Sequence, residues 1–361
     1  MLDVFLPVSA AFDLRVPAEH MLPVGIVGAG AIVDVAHLPA YAAAGLTVTG
    51  VFDLNEARAQ DVVGRHGAGQ VYGSLEELLA DGRAGVVDIA VAPAAQPDIV
   101  AAALDAGKHV LAQKPLAPTL GQARELASHA QRAGRQLVVN QQMRYGEGMA
   151  VARAMAHRGW IGEVTAVDFH VNISTDWTAW DWIVSSAQLD LRYHSIHYLD
   201  SIRALLGTPE TVYCAAGRRP GQMAAGETRT MSTLVYDDGP RAALHINHEN
   251  IAGDYEARYR VDGSDGSIRG TIGLLYDYPN GRPDTLEVWS RVLPTDGWLP
   301  YPVTTRWIPD AFAGPMRALL RAAATGEPAP TSAQDNLQTL AVLEALYRSI
   351  GSGTAQRPEP S

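Results

Sequence analysis

The sequence predicts an α/β protein in two parts: a doubly wound parallel sheet, then an α/β domain with a large, mostly antiparallel open sheet. Three observations carry this. From Pro23 to Asn140, short apolar runs alternate with helical stretches, the pattern of βαβ units that builds a parallel sheet. The first run ends in Gly28-Ala29-Gly30, a glycine turn set between a strand and a helix. Beyond residue 145 the β-type runs lengthen and follow one another with few helices between them. A chain of 361 residues is too long for one ordinary core and comfortable for two.

Pro23-Val24-Gly25-Ile26-Val27-Gly28 is an apolar run closed by glycine, hence a buried strand. A helix over 31–44 is stopped by Gly45, and a second strand over 46–52 carries Asp53 at its tip. Asn55 caps a helix over 56–65, and 71–72 is a short strand. Ser74-Leu75-Glu76-Glu77 opens a helix with serine three residues before glutamate, so each side chain can satisfy a free N–H group at the helix start. Strands are expected over 86–91, 110–112 and 136–140, and helices over 97–106 and 120–133, stopped by Gly107 and Gly134.

In the second part a helix over 149–157 leads through Gly159-Trp160-Ile161-Gly162 into β-type runs over 164–173, 211–216, 229–236, 241–248, 255–262, 267–273 and 284–289. Asp237-Asp238-Gly239-Pro240 reads as a hairpin turn. One helix around 193–206, stopped by Gly207 and Pro209, interrupts the sheet. Helices over 311–324 and 332–350 close the chain, the last with an apolar stripe at Leu337, Leu340, Leu343 and Leu346. The expected domains are an N-terminal extension over 1–20, a dinucleotide-binding domain over 21–143, a substrate and oligomerisation domain over 144–350, and a disordered tail over 351–361.

Composition narrows the function classes. The net charge is −11, from 28 basic and 39 acidic residues, and no Lys/Arg run appears, so nucleic acid is not expected as a partner. The one cysteine, Cys214, lies in a strand-like run and reads as a buried, inert thiol, which fits a reducing cytoplasm. Met1 to His20 lacks the basic start of a secretory signal, and Met21 is an alternative start. The most apolar long stretch, 86–104, contains Asp88, Pro93, Pro97 and Asp98, so no membrane span is expected there.

The glycine turn points to a nucleotide. Gly28 permits the tight turn, Gly30 lets the backbone approach a pyrophosphate, and the helix start at Ala31 and Ile32 offers free N–H groups. The third small position of this fingerprint is occupied by Val33, which changes helix–sheet packing rather than removing phosphate binding. Asp53 lies 23 residues after Gly30. A carboxylate there accepts hydrogen bonds from both adenosine ribose hydroxyls and repels a 2′-phosphate, so NAD is favoured, with NADP possible because Arg58 is near. Together these features make the first domain a Rossmann-type fold. Lys114 follows the apolar run Val110-Leu111-Ala112, and Pro115 stops the ladder there. Ligands bind outside the carboxyl ends of the strands in such sheets, so this lysine is placed to work beside the nucleotide.

The chain resembles the Gfo/Idh/MocA oxidoreductases over roughly residues 22–350. The resemblance lies in Val24-Gly25-Ile26-Val27-Gly28-Ala29-Gly30-Ala31-Ile32, in residues 106–117 around Gln113-Lys114-Pro115, in Asn140-Gln141-Gln142-Met143-Arg144-Tyr145, and in Ile161-Gly162-Glu163-Val164. It implies hydride transfer between nicotinamide and a secondary alcohol or lactol carbon of a sugar or cyclitol, and a C-terminal sheet that packs between subunits as a homodimer or homotetramer. It also implies that Ala29, Ala31, Ile32, Ala92, Pro93, Gln113 and Lys114 join Gly28, Gly30 and Asp53 around the cofactor. The family's Glu-Lys-Pro motif falls on Gln113-Lys114-Pro115, and its catalytic histidine on His197. The acid usually found four residues before that histidine is replaced by Tyr193, so two usual acids are neutral here. Gln-Lys-Pro, Ser195-Ile196-His197, Trp177 and Trp180 resemble the subgroup that includes bacterial D-apiose dehydrogenases.

Oxidising a secondary alcohol needs a base for the hydroxyl proton and a positive group for developing alkoxide character. His197 is the natural base and Lys114 the positive group, although a lysine with a lowered pKa can take the base's place. His194 shares a helix face with His197 and is a candidate substrate contact; Tyr193 can join a proton relay; Asp200 can orient His197. Trp177, in the aromatic loop 176–182, is a candidate wall for the apolar face of a sugar, and Arg144 and Tyr145 are candidates to line the same cleft. No metal is expected, because His245 and His248 fall on opposite faces of a strand. Two further readings share these residues: an enzyme that recycles bound NAD for epimerisation, elimination or glycoside cleavage, and a non-catalytic NAD-binding regulator.

Overall fold

The computed structural model describes residues 2–360 apart from Trp180, Asp238 and Thr295. Its chain divides into two compact units. The nucleotide unit comprises Asp13–Tyr145 and Ile308–Leu337; the second comprises Met1–Phe12, Gly146–Trp307 and Gln338–Ser361.

The nucleotide unit is built on a six-stranded parallel sheet of β1 (Val24–Val27), β2 (Val48–Phe52), β3 (Gln70–Val71), β4 (Val86–Ile89), β5 (His109–Ala112) and β6 (Leu137–Val139), in the order β3-β2-β1-β4-β5-β6. β1 and β4 are buried along their whole length, as strands covered on both faces must be. Strand order reverses beside β1, so Gly28 stands at the switch point where such sheets bind ligands. The expected caps form: Asn55 Oδ1 accepts from Arg58 N at 3.3 Å, Ser74 Oγ accepts from Glu77 N at 3.1 Å, and Glu77 Oε2 accepts from Gly73 N at 2.7 Å. The helix after the glycine turn starts with a π segment, Val33–His37, before the α segment Leu38–Ala43. Val33, at the position where the fingerprint asks for a small residue, is fully buried. Ala313–Thr325 packs on β5 and β6, and Val139 N donates to Thr331 O at 2.8 Å.

The second unit carries an eight-stranded sheet of β7 (Val164–Asn172), β8 (Thr211–Gly217), β9 (Arg229–Val235), β10 (Arg241–Asn247), β11 (Glu256–Gly263), β12 (Gly266–Thr271), β13 (Thr285–Ser290) and β14 (Leu299–Tyr301). Their order is β14-β13-β12-β11-β7-β10-β9-β8. Neighbours pair antiparallel except β7 and β10, which run parallel in the centre. Burial alternates along the strands, so one face is core. That face is covered by Glu147–His157 and Ile196–Leu206, with Tyr198 stacked on Phe169 at 5.1 Å. β9 and β10 join as the expected hairpin, although Asp238 of its turn lies outside the described residues.

Both chain ends are more firmly held than their composition suggests. Phe5 is buried against the rings of Trp160 and Tyr301. The segment expected to be a disordered tail instead pairs Gln356 with Val212 through two 2.8 Å backbone hydrogen bonds, and Arg357 bonds Glu210. The free edge of β8 supplies backbone partners that composition does not reveal.

Candidate active site

The glycine turn has the geometry that a pyrophosphate needs. Gly28 has φ +104°, and a Cβ there would lie 2.3 Å from Ala90 O, so only glycine fits. A Cβ on Gly30 would meet nothing within 4 Å, which leaves open space above the loop for a ligand. Asp53 ties the turn down: Oδ2 accepts from Ala29 N at 2.7 Å and Oδ1 from Asn55 N at 2.8 Å. An ionised carboxylate has about four acceptor sites, so capacity remains for ribose hydroxyls. The residues present therefore fit a dinucleotide.

Lys114 lies in the loop after β5, with a cis Lys114-Pro115 peptide bond. Burial of the amine pushes its pKa down to about 8. Gln96, the first residue of the helix Gln96–Asp105, is buried and bonds this loop with both ends of its amide. Its Nε2 donates to Gln113 O, Pro115 O and Leu116 O at 2.8, 2.9 and 3.0 Å, and its Oε1 accepts from Gln113 N at 2.9 Å. From the other side, Gln113 Nε2 meets His37 Nε2 at 2.8 Å, and His37 Nδ1 meets Asp88 Oδ2 at 2.6 Å. Gln96, His37 and Asp88 escaped the sequence reading, because a buried glutamine at a helix start carries no motif.

Arg144 and Tyr145, expected to line a cleft, are buried, with polar ends that serve the fold. Arg144 bonds Pro330 O and Asp335 Oδ2, each at 2.9 Å, and Tyr145 Oη lies 3.2 Å from Thr331 Oγ1. These partners sit some 190 positions along the chain (186 and 191), beyond the reach of local pattern.

In the second unit, His197 is buried and its ring meets Trp307 edge-on at 5.3 Å. Asp200 accepts from Thr339 Oγ1 at 2.9 Å. Tyr193 and His194 fall in a π segment, Leu191–Ser195, that precedes the helix. Trp177 is buried with Ile183, Leu189 and Ala224, so it is Trp182, 43% exposed and edge-on to Tyr193, that offers an open aromatic face. Trp180 lies outside the described residues.

A carboxylate the sequence reading passed over, Asp190, organises this region. It accepts from Ser195 Oγ at 2.8 Å, Thr230 Oγ1 at 2.6 Å and His248 Nε2 at 3.0 Å, with His194 Nδ1 at 3.5 Å. Burial alone would raise its pKa, but the bonds from His194 and His248 hold it well below the usual carboxylate range. Ligand atoms of Asp190, His194 and His248 lie within 4.8 Å of one another, a grouping that could hold a metal ion, whereas the sequence led to the expectation of none. His245 faces the other side of the sheet, edge-on to His170 at 4.6 Å.

A doubly wound sheet with a glycine turn, an acid just after β2 and a half-buried lysine after β5 fits an NAD-dependent oxidoreductase. Residues 22–141 match the oxidoreductase family model with an NAD-binding Rossmann fold, and residues 149–269 match the GFO/IDH/MocA C-terminal domain. The chain belongs to the Gfo/Idh/MocA family. It is 26% identical to D-xylose 1-dehydrogenase (NADP(+)) 2 of Haloferax volcanii, over 92% of this chain and 98% of that one. It is 25% identical to D-apiose dehydrogenase of Rhizobium rhizogenes, over 86% of this chain and 89% of that one. Among solved structures it is similar to GenD2 from gentamicin A biosynthesis in complex with NAD, with TM-score 0.76 and 25% identity over 96% of this chain and all of that one.

Proposed function

We propose that the protein oxidises a secondary alcohol or lactol carbon of a sugar or cyclitol, with NAD as the hydride acceptor. The observation that carries this reading is Lys114, a lysine in the loop after β5 whose amine burial lowers its pKa to about 8, so that its neutral form is within reach of a general base. Lys114 therefore takes the hydroxyl proton, and His197 hydrogen-bonds the reacting oxygen, the reverse of the assignment that unperturbed pKa values suggest. Bound nicotinamide supplies the hydride acceptor. Gly28, Ala29, Gly30, Ala31 and Ile32 bind its pyrophosphate, Asp53 its adenosine ribose, and Ala92, Pro93 and Gln113 the strand ends beside it. Asp53 makes NAD the preferred cofactor over NADP.

The relatives named for D-xylose and D-apiose support an aldose as substrate, presented to the exposed face of Trp182 with Tyr193 and His194 beside it. The nucleotide unit, Asp13–Tyr145 with Ile308–Leu337, serves as the dinucleotide domain, and the second unit as the substrate domain. The uncovered face of the eight-stranded sheet joins copies of the chain into a dimer or tetramer. No helix of the described residues is long and apolar enough to cross a membrane, and the buried Cys214 supports a cytoplasmic setting. The test is a spectrophotometric screen of pentoses, hexoses, cyclitols and anhydrosugars with NAD and NADP. NADH formation with at least one of them is the expected result; tight NAD binding without turnover across the panel would overturn the reading.

A further inference from the structure

We propose that Gln96 and His37 are the positioning residues of Lys114, Gln96 through the main chain of its loop and His37 through the side chain of Gln113. The proposal rests on Lys114 being the proton acceptor. It is motivated by where the loop's polar groups find their partners.

Past Ala112 the β5 ladder makes one more bond, Gln113 N to Ile89 O at 3.1 Å, and Pro115 has no N–H to continue it. The carbonyls of Gln113, Pro115 and Leu116 turn to one side chain, the amide of Gln96, whose Oε1 also shares the Gln113 N–H at 2.9 Å with Ile89 O at 3.1 Å. An amide suits the site, because it offers an acceptor and two donor hydrogens at once. Nε2 has two hydrogens for three carbonyls, so the three are drawn around a single point and Lys114 is bracketed on both sides. Glutamate in this place would keep the bond from Gln113 N–H and lose all three donations.

Gln113 is gripped again through its own amide. Its Nε2 can only donate, so His37 Nε2 is the acceptor and the imidazole proton sits on Nδ1, directed at Asp88. Asp88 Oδ2 also accepts from Tyr41 Oη at 2.7 Å, and Asn140 Nδ2 approaches His37 Nε2 at 3.4 Å. Thus β4, through Asp88, and the helix after the glycine turn, through His37 and Tyr41, fix the residue next to the lysine. Residues 37 and 113 are a matched pair: an ionised glutamate at 113 would have no donor to offer His37 Nε2. The same helix follows the nucleotide turn, so the cradle and the lysine share one rigid support.

The chain contains two lysines, Lys108 and Lys114, so [ε-13C]lysine labelling yields two side-chain signals, assigned with Lys114→Arg. Lys108, which donates to Asp81 O and Ala84 O, is the internal reference. The experiment follows the pH titration of both signals, the kcat and KM for the best polyol, and the NAD dissociation constant in Gln96→Leu, Gln96→Glu, His37→Leu and His37→Gln. In Gln96→Leu and His37→Leu, kcat falls about 10- to 100-fold while NAD affinity changes by less than about two-fold, the signature of a misplaced reacting group. The Lys114 midpoint rises toward the ordinary lysine value as the loop loosens, and that of Lys108 stays put. His37→Gln, whose amide oxygen can accept from Gln113, restores most of the loss in His37→Leu. Wild-type kcat and an unmoved Lys114 midpoint in folded Gln96→Leu would overturn the proposal, as would Lys108 shifting in step with Lys114. If Gln96→Leu does not fold, Gln96→Glu is read in its place by the same criteria. If the wild type turns over no polyol, the functional reading fails, and the Lys114 midpoint by itself decides the positioning role.

Discussion

On the function proposed above, a single amine carries most of the chemistry. Burial takes water away from Lys114, which disfavours its charged form and brings its pKa to about 8. The sign follows: the neutral, proton-accepting form grows as pH rises, so kcat/KM for alcohol oxidation should climb through pH 8 and level off above it. A profile that falls through this range would assign Lys114 the role of a charged partner instead. Lys114→Met should lower kcat by about 10^3-fold while leaving the NAD dissociation constant within about two-fold. Two of the three tryptophans of the 176–182 loop separate by burial: Trp182→Ala should raise the KM for the sugar with little change in melting temperature, whereas Trp177→Ala should lower the melting temperature. Equal effects on KM would show that the exposed ring does not meet the substrate.

At the scale of elements, close backbone approach sets what each segment tolerates. Gly28→Ala would place a Cβ 2.3 Å from Ala90 O at a positive φ, so this variant should lose NAD binding, read as loss of the nucleotide-induced rise in melting temperature. In the second unit, Asp284 lies under Gly148 and accepts from Gly273 N at 2.8 Å. Burial pushes its pKa up to about 7, with the Glu147 charge adding to the rise. The folded value exceeds the unfolded one, so its stabilising contribution is complete below about pH 4 and is lost as pH rises through 7. Asp284→Asn keeps the acceptor and removes the charge, and should therefore gain stability relative to wild type between pH 5 and pH 8, by about 1–3 kcal/mol. Melting curves at the two pH values check this; a difference that does not change with pH would place the ionisation elsewhere. These elements were legible in the sequence where period and caps agree, as at Ser74 and Asn55. Gln96 was not, because its worth lies in carbonyls that only the folded loop brings to it.

For the whole molecule, the outstanding surface is the face of the eight-stranded sheet that no helix of its unit covers among the described residues. On it Tyr213 and Met231 are 42% and 59% exposed on the paired strands β8 and β9. Large apolar side chains on an open sheet are a liability unless another surface covers them. Light scattering should therefore report a dimer or tetramer, and Met231→Glu should shift it toward monomer. A wild type that stays monomeric at high concentration would refute this use of the face.

By itself the sequence determined the class of protein: periodicity, the glycine turn, Asp53 and the Lys114 loop are local signals, set by backbone sterics and by which neighbours lie within a few residues. It also located Lys114 and His197 as the groups to watch. Only the tertiary structure decided how those groups are held and which polar residues are spent on the fold. Gln96 and His37 reach Gln113 across 17 and 76 positions, and Asp190 collects His248 across 58. Arg144, which reads as a cleft residue, is turned to Asp335 instead. A buried donor or acceptor must find its partner wherever the chain folds back, and sequence spacing carries no record of that meeting.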